Sequence, residues 1–411
     1  MPKVSKIKLK YLADIFNGNS IPDDKKSEFE GKTIPYIPTK ELSVEDGSIN
    51  YENGLSVNEG DNFKIAPSES VLMCIEGGSA GKKIGLTDRR VAFVNKLCCI
   101  HGTTVSSKYL YHALRSKDFT DQFYLNMTGL IGGVSTNALK NISISLPDGE
   151  GQQSIVTHYL DQKCEQVDTL IANVQAQIEK LKAYKQSLIT EVVLNGLAPN
   201  VPMKDSGVEW MGIIPAHWGV KCGKHLFAES DLRSDDGSEE LLTVSQYTGI
   251  TPRSQKNVNM FEALSLEGYK ICKVGDIAAN TMWMWAGAIG VSQYYGVVSP
   301  SYNVYHQIGN AYLSKYLDYL LRIPPLVQCY ESQSTGIRAS RLRLYPQQFL
   351  NIRFPVPPYA EQEAVVAELE GRCEKVDRLI AIKQRKIDKL NEYKKSLIYE
   401  CVTGKKEVPV G

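Results

Sequence analysis

The chain contains one long segment twice. Residues Cys164 to Glu191 return as Cys373 to Glu400 at a constant offset of 209, and 17 of the 28 aligned positions are identical. A long fixed period means one structural unit used in tandem. The offset is about half of the 411 residues, which makes two copies rather than a solenoid of short repeats. Fainter echoes surround the matched segment. Met127-Thr128-Gly129-Leu130 is answered by Ser334-Thr335-Gly336-Ile337, and Tyr109-Leu110 with Leu114-Arg115 by Tyr316-Leu317 with Leu321-Arg322. Ala80-Gly81 with Ile84-Gly85 is answered by Ala286-Gly287 with Ile289-Gly290, one residue deleted. Each copy reads as a diverged globular part followed by a closely matched helical part. Divergence in the globular parts is expected if they bind different things.

Between Gln152 and Asn195 there is no Pro or Gly. Val167, Ile171, Val174, Ile178, Leu181, Leu188 and Val192 recur at steps of four and three, and Tyr184 fills the one irregular step. This is an apolar seam of the coiled-coil kind. It predicts one helix roughly 60 Å long, ended by Gly196 and Pro199. The second copy predicts a helix over Glu361 to Thr403, with Val376, Ile380, Ile387, Leu390, Tyr393 and Leu397 on its seam and Lys383 where the first copy has Val174. A coiled coil between chains would also bury such seams. Because one chain supplies two matched helices, intramolecular antiparallel pairing is the expectation.

Outside the helices the pattern is mixed. Ile34-Pro35-Tyr36-Ile37-Pro38, Val71-Leu72-Met73-Cys74-Ile75, Glu240 to Val244 and Gly275 to Asn280 read as strands. Lys108 to Asn126 reads as one helix, and Asn310 to Arg322 as another that stops at Pro324-Pro325. The fold class is therefore α+β: two mixed α/β domains separated by two long helices forming an antiparallel coiled coil, a pseudo-twofold internal repeat. The expected boundaries are 1–148, 149–198 for the first helix, 199–219 for a joining segment, 220–357, and 358–411 for the second helix and tail.

Composition narrows the function. The formal net charge is +1, so any nucleic-acid contact must be a local patch. Nine cysteines without a C-x-x-C framework predict free thiols in a reducing cytoplasm. No apolar run is long enough to span a bilayer, so no membrane partner is expected. Gly77-Gly78-Ser79-Ala80-Gly81-Lys82-Lys83 resembles a phosphate loop, but it is one residue short and lacks the hydroxyl that would hold Mg²⁺. Pro22-Asp23-Asp24-Lys25 is too crowded with charge for a nuclease core. The six histidines have no metal-ligand spacing. No catalytic, cofactor or metal residue is expected in this chain. What the globular parts offer is Gly-rich, basic and aromatic loops. Lys40, Lys82, Lys83, Arg89, Arg90 and Thr128 in the first part are candidate DNA contacts. So are Tyr247, Arg253, Lys256, Arg338, Arg341 and Arg343 in the second. Lys and Arg neutralise phosphates, and Arg can also read a guanine edge.

Together the two globular parts, the matched helices and the joining run Lys204-Asp205-Ser206-Gly207-Val208-Glu209-Trp210-Met211-Gly212-Ile213-Ile214-Pro215-Ala216-His217-Trp218 resemble the specificity subunit of Type I restriction–modification systems. Pro357-Pro358-Tyr359-Ala360-Glu361-Gln362 looks like that family's passage from recognition domain into helix. The first copy departs there, with Pro147-Asp148-Gly149-Glu150-Gly151-Gln152-Gln153. The resemblance implies a non-catalytic reader of double-stranded DNA whose two target-recognition domains each take half of a bipartite site. It implies helices that set the gap and dock two modification subunits, which carry S-adenosylmethionine. A motor–nuclease restriction subunit would join for cleavage. Two other readings stay open from the residues alone: a two-headed protein scaffold that never touches DNA, and the specificity chain of a fused nuclease–methyltransferase system.

Overall fold

The computed structural model describes residues 4–129, 132–149, 151–256, 265–336 and 342–409. Packing divides the chain into two compact units, Met1–Ala176 with Lys383–Gly411, and Gln177–Ile382.

The strands of the first unit are β1 (Val4–Lys8), β2 (Ala13–Asn17), β3 (Ile34–Ile37), β4 (Ser56–Val57), β5 (Ile65–Ala66), β6 (Val71–Cys74), β7 (Ile84–Leu86), β8 (Val91–Phe93), β9 (Leu97–Gly102) and β10 (Ser143–Pro147). One antiparallel sheet has the order β2-β9-β6-β7, and a second, mixed sheet the order β4-β3-β8-β5 with β3 and β8 parallel. β6 is apolar at every position because both of its faces are covered. Val71 and Met73 point into one core, and Leu72 and Cys74 into another. The period of two also separates the adjacent cysteines. Cys98 belongs to the first core and Cys99 to the second. All nine cysteines are unpaired.

The first core lies under α1 (Ser107–Leu114) and α2 (Lys117–Leu125), with α3 (Thr136–Asn141) following. The sequence predicts one helix over Lys108 to Asn126, but the chain breaks it in two. Ser116 leaves helical geometry, and its hydroxyl accepts from Phe119 N–H as the cap of α2.

Long helix α4 (Gln152–Asn195) matches the expected span and enters both units. In the second unit, β11 (Met203–Asp205) and β12 (Ile213–Pro215) form a hairpin in the joining segment. β13 (Gly219–Cys222), β14 (Phe227–Ser230), β15 (Leu242–Ser245), β16 (Gly249–Pro252), β17 (Lys270–Cys272), β18 (Ile277–Ala279), β19 (Ile289–Val291), β20 (Gly296–Val298), β21 (Asn303–Gln307) and β22 (Arg353–Val356) complete the strands. The sheet β14-β21-β18-β19 repeats β2-β9-β6-β7, and the pair β13-β22 repeats β1-β10. Strands outside this shared frame differ, since β15-β16 and β17-β20 replace the second sheet of the first unit.

The remaining helices are α5 (Ser314–Leu320), α6 (Pro324–Gln333), α7 (Pro346–Asn351) and α8 (Tyr359–Val402). Pro324-Pro325 do not merely stop the expected helix over Asn310 to Arg322. They open α6 at its first turn, where the missing N–H is no loss.

The two long helices meet inside each unit. In the first, Lys394 Nζ donates to both Asp168 carboxylate oxygens at 2.6 and 2.7 Å, and Lys406 stands over the Tyr159 ring. Numbers fall along α4 as they rise along α8 and its tail, so the pair is antiparallel. In the second, Lys185 Nζ donates to Asp377 at 2.7 and 2.8 Å, and Gly196 approaches Glu361. The direction is again antiparallel.

These ion pairs correct the expected seams. Tyr184 and Tyr393 are about half exposed, whereas the Lys394 side chain is 7% exposed and that of Lys185 29%. With Lys185 in place of Tyr184, the seam advances by four and three without interruption. The lysine stem lies in the seam and the ammonium finds a carboxylate.

The joining segment is locked to the start of α8. Trp218 is buried; its indole N–H donates to Glu361 Oε2 at 2.9 Å, and His217 Nε2 lies 2.6 Å from Oε1. Gly196 ends α4 with φ +71°, and an added Cβ would meet the Trp218 ring at 3.2 Å. Gln362 is fully buried. It accepts from Leu313 N–H and donates to the Ala311 and Pro357 carbonyls.

His112 of α1 carries a pH dependence. Its Nε2 lies 2.6 Å from Asp161 Oδ1 on α4, and its Nδ1 is buried without a partner. A carboxylate only accepts, so Nε2 donates and Nδ1 is a bare lone pair. Protonation would bury an unpaired donor. Burial pushes the His112 pKa down from 6.5; Asp161 opposes this, and Arg115 and Lys394 add to it. A histidine with a lowered folded-state pKa contributes stability that is present above the unfolded value and lost as pH falls from there through the folded value. Stability should therefore decline below about pH 6.5, by at most about 1.4 kcal/mol per pH unit from this group. Denaturant melts of wild type and His112→Gln across that range check this. The variant should lose the part of the slope that His112 supplies.

Candidate nucleic-acid interface

In the first unit, the loop between β6 and β7 and the loop between α2 and α3 are tied by backbone bonds. Gly77 N–H donates to Gly132 O at 2.8 Å, and Val134 N–H to Ile75 O at 2.9 Å. Thr128 and Gly133 exchange both of their bonds, at 2.8 and 2.9 Å. Gly77 and Gly132 have φ of +85° and +71°, which only glycine adopts without strain. Lys83 Nζ donates to the Thr39 carbonyl at 2.8 Å and so draws in the turn Thr39–Glu41 that carries Lys40. Lys82 reaches the Gly78 carbonyl, and Lys40 lies 3.4 Å from Glu41. Lys40, Lys82, Lys83 and Thr128 thus gather around one pair of loops.

Arg89 and Arg90 lie elsewhere, between β7 and β8. Arg89 bonds Asp88 and covers the Tyr51 ring at 4.5 Å, while Arg90 pairs with Glu59 at 2.7 Å. Both guanidinium groups are matched by a local carboxylate.

In the second unit, Tyr247 stands at the β15–β16 turn, 84% exposed. Lys256 Nζ donates to Thr248 Oγ1 beside it, and Arg253 opens a short 3₁₀ turn after β16. Arg343 exchanges backbone bonds with Thr335 at 2.9 Å, repeating the Thr128–Gly133 closure. Arg338 and Arg341 lie outside the described residues.

One feature of this surface escapes a search for basic residues. Between β18 and β19, where the first copy has Gly77-Gly78-Ser79, the second has Trp283-Met284-Trp285. The two indoles stack with centroids 5.8 Å apart; Trp283 is 53% exposed, and Trp285 N–H donates to Met282 O. The signal in the sequence is two of the chain's four tryptophans at a position where the repeat has glycine and serine. Among the described residues no group of three His, Cys, Asp or Glu could hold a metal, and no described helix is long and apolar enough to cross a membrane.

Comparison with known proteins agrees with this architecture. Residues 1–180 match the Type I restriction modification DNA specificity domain. The Type I restriction enzyme MjaVIII specificity subunit of Methanocaldococcus jannaschii is 25% identical over 427 aligned positions, covering 95% of this chain and 94% of the relative. The putative Type I restriction enzyme MjaX specificity subunit of the same organism is 24% identical and covers 66% of this chain and 61% of its own. A solved chain from work on complex assembly and conformational transition of the type I R-M system superposes with a TM-score of 0.71, covering 99% of each chain at 16% identity, and so shares the fold. Residues 1–180 thus match a Type I specificity domain, and the chain along nearly its whole length is similar in sequence to a Type I specificity subunit and shares the fold of a chain from a type I R-M system.

Proposed function

We propose that this chain is the sequence-reading subunit of a Type I restriction–modification complex and that it carries no catalytic group of its own. Each unit reads one half of a bipartite site in double-stranded DNA. The helices set the unread gap and dock two modification subunits, which supply S-adenosylmethionine and the adenine methyl transfer; a restriction subunit joins for cleavage.

The observation that carries this reading is where the copies agree and where they differ. The sheet frame, the helix pair and its ion pair recur, while the loops and outer strands diverge. A common frame with different loops suits two readers of different sequence on a common backbone. Lys40, Lys82, Lys83 and Thr128 in the first unit, and Tyr247, Arg253, Lys256 and Arg343 in the second, are the contacts proposed in the described residues. Trp283 and Trp285 offer apolar faces that can wedge at a base step.

The test is to assemble the chain with its modification subunits and sequence the sites they methylate. The expected product is one asymmetric site with two fixed halves and a gap of fixed length. Affinity should fall steeply with salt. Methyl transfer by the purified chain alone, or salt-independent failure to bind DNA, would overturn the reading.

A further inference from the structure

A cleft of about 590 Å³ lies wholly in the first unit, between the β6–β7 loop, α2 and the last turns of α8. Lys82, Arg115, Lys117, Lys394 and Lys395 line it, against one carboxylate, Glu45. Lys394 is matched by Asp168 and Lys117 by Asp121 at 2.5 Å. Lys82 and Arg115 instead donate to neutral oxygens, the Gly78 carbonyl and the Tyr111 hydroxyl.

The internal repeat supplies a control. Arg115 and Lys394 recur as Arg322 and Lys185, so the shared frame accounts for them. The other three cations do not recur. Lys117 corresponds to Pro324, Lys395 to Gln186, and the pair Lys82-Lys83 to Ala288 alone. The neutralising partner differs as well. Arg322 is paired with Asp318 at 2.5 Å, and the position of Asp318 is held in the first copy by Tyr111. The second copy folds without these charges, so the fold does not require them. Their convergence on one cleft, against the single lining carboxylate Glu45, makes the cleft electropositive and favours an anion there.

We propose that this cleft is an anion site for a phosphate group, present in the first copy only. If the phosphate belongs to the DNA backbone, the inference rests on the DNA-reading function above, and α8 becomes part of the DNA-binding surface. If it belongs to a free nucleotide or phosphate ion, the site is a separate ligand site.

The test uses the full chain with Lys117→Ala and Lys395→Gln, two cleft cations that the second copy lacks and that are not among the DNA contacts proposed above. In one arm, the melting temperatures of wild type and double variant are compared in sodium phosphate, in ATP, and in sodium chloride of equal ionic strength. In the other, DNA affinity of the assembled complex is measured against salt. A phosphate- or ATP-specific rise in Tm for wild type only identifies a free phosphate-bearing ligand. A salt slope shallower by about 1–2 in the variant, with no such rise in Tm, identifies backbone phosphates. If wild type and variant agree in both arms while the complex still binds DNA, this inference fails and the DNA-reading function stands. If the complex does not bind DNA at all, the wider function fails, and the melting arm still decides whether the cleft takes free phosphate.

Discussion

Replacing Ile178 and Leu181 with aspartate is expected to unfold the helix pair of the second unit. Ile178 is 2% exposed and Leu181 is half-buried, both on the seam of α4. Removing a buried aliphatic side chain costs about 2–5 kcal/mol, and forcing an unpaired carboxylate into its place adds several more. Against a domain stability of about 5–15 kcal/mol, the double change removes most of the margin. Circular dichroism melts of wild type and variant measure it directly. Tyr184→Asp is the discriminating control. Tyr184 is 55% exposed, so this change should alter stability by no more than about 0.5 kcal/mol. Equal damage at Tyr184 would put the tyrosine in the seam and overturn the assignment of Lys185 to it.

That contrast also marks how far the long helices are legible in sequence. Their spans, terminating glycine and antiparallel pairing follow from an uninterrupted period and an exact offset, because a helix 44 residues long gives the pattern many chances to repeat. The irregular step misleads because lysine reads as surface. Its four-carbon stem is apolar, and only the tip needs water or a carboxylate. The clue is present in the sequence. Asp168 and Lys185 recur as Asp377 and Lys394 among 17 identities, and each aspartate pairs with the lysine of the other copy. A polar residue in a seam position fixes register at some cost in stability. These reciprocal pairs form only in the antiparallel alignment.

The globular parts are less legible. Their strands are short, with β7 and β8 only three residues each, so period and length cannot separate strand from loop. The strands that read clearly, β3 and β6, are apolar runs bounded by turn residues. The site divides in the same way. Basic residues are easy to find, but sequence does not say which have a carboxylate beside them. Arg90 meets Glu59 from a segment 31 positions away. Lys83 spends its ammonium on the Thr39 carbonyl. Trp283 and Trp285 stand out only when the two copies are compared position by position.

Lengthening both helices by one heptad is expected to lengthen the unread gap of the DNA site by about three base pairs. The insertions belong after Ala176 and after Arg385, repeat-equivalent positions at the offset of 209. Seven residues close one heptad, so the seam resumes in phase on both sides. Ile178, Leu181 and Lys185 remain on one face with Val167, Ile171 and Val174. Seven residues add about 10 Å of helix, and DNA advances about 3.4 Å per base pair along each strand. The half-site sequences should not change, because the loops carrying Lys82, Thr128, Tyr247 and Trp283 are untouched. Affinity should fall, since the DNA helix turns with every added base pair while the protein is lengthened by whole heptads. Sequencing the sites methylated by the lengthened complex reads gap and half-sites separately. An unchanged gap with full activity would reduce the helices to a docking surface for the modification subunits. Altered half-sites with a fixed gap would move base reading from the loops onto the helices, where the Lys394 and Lys395 side of α8 would be the first place to look.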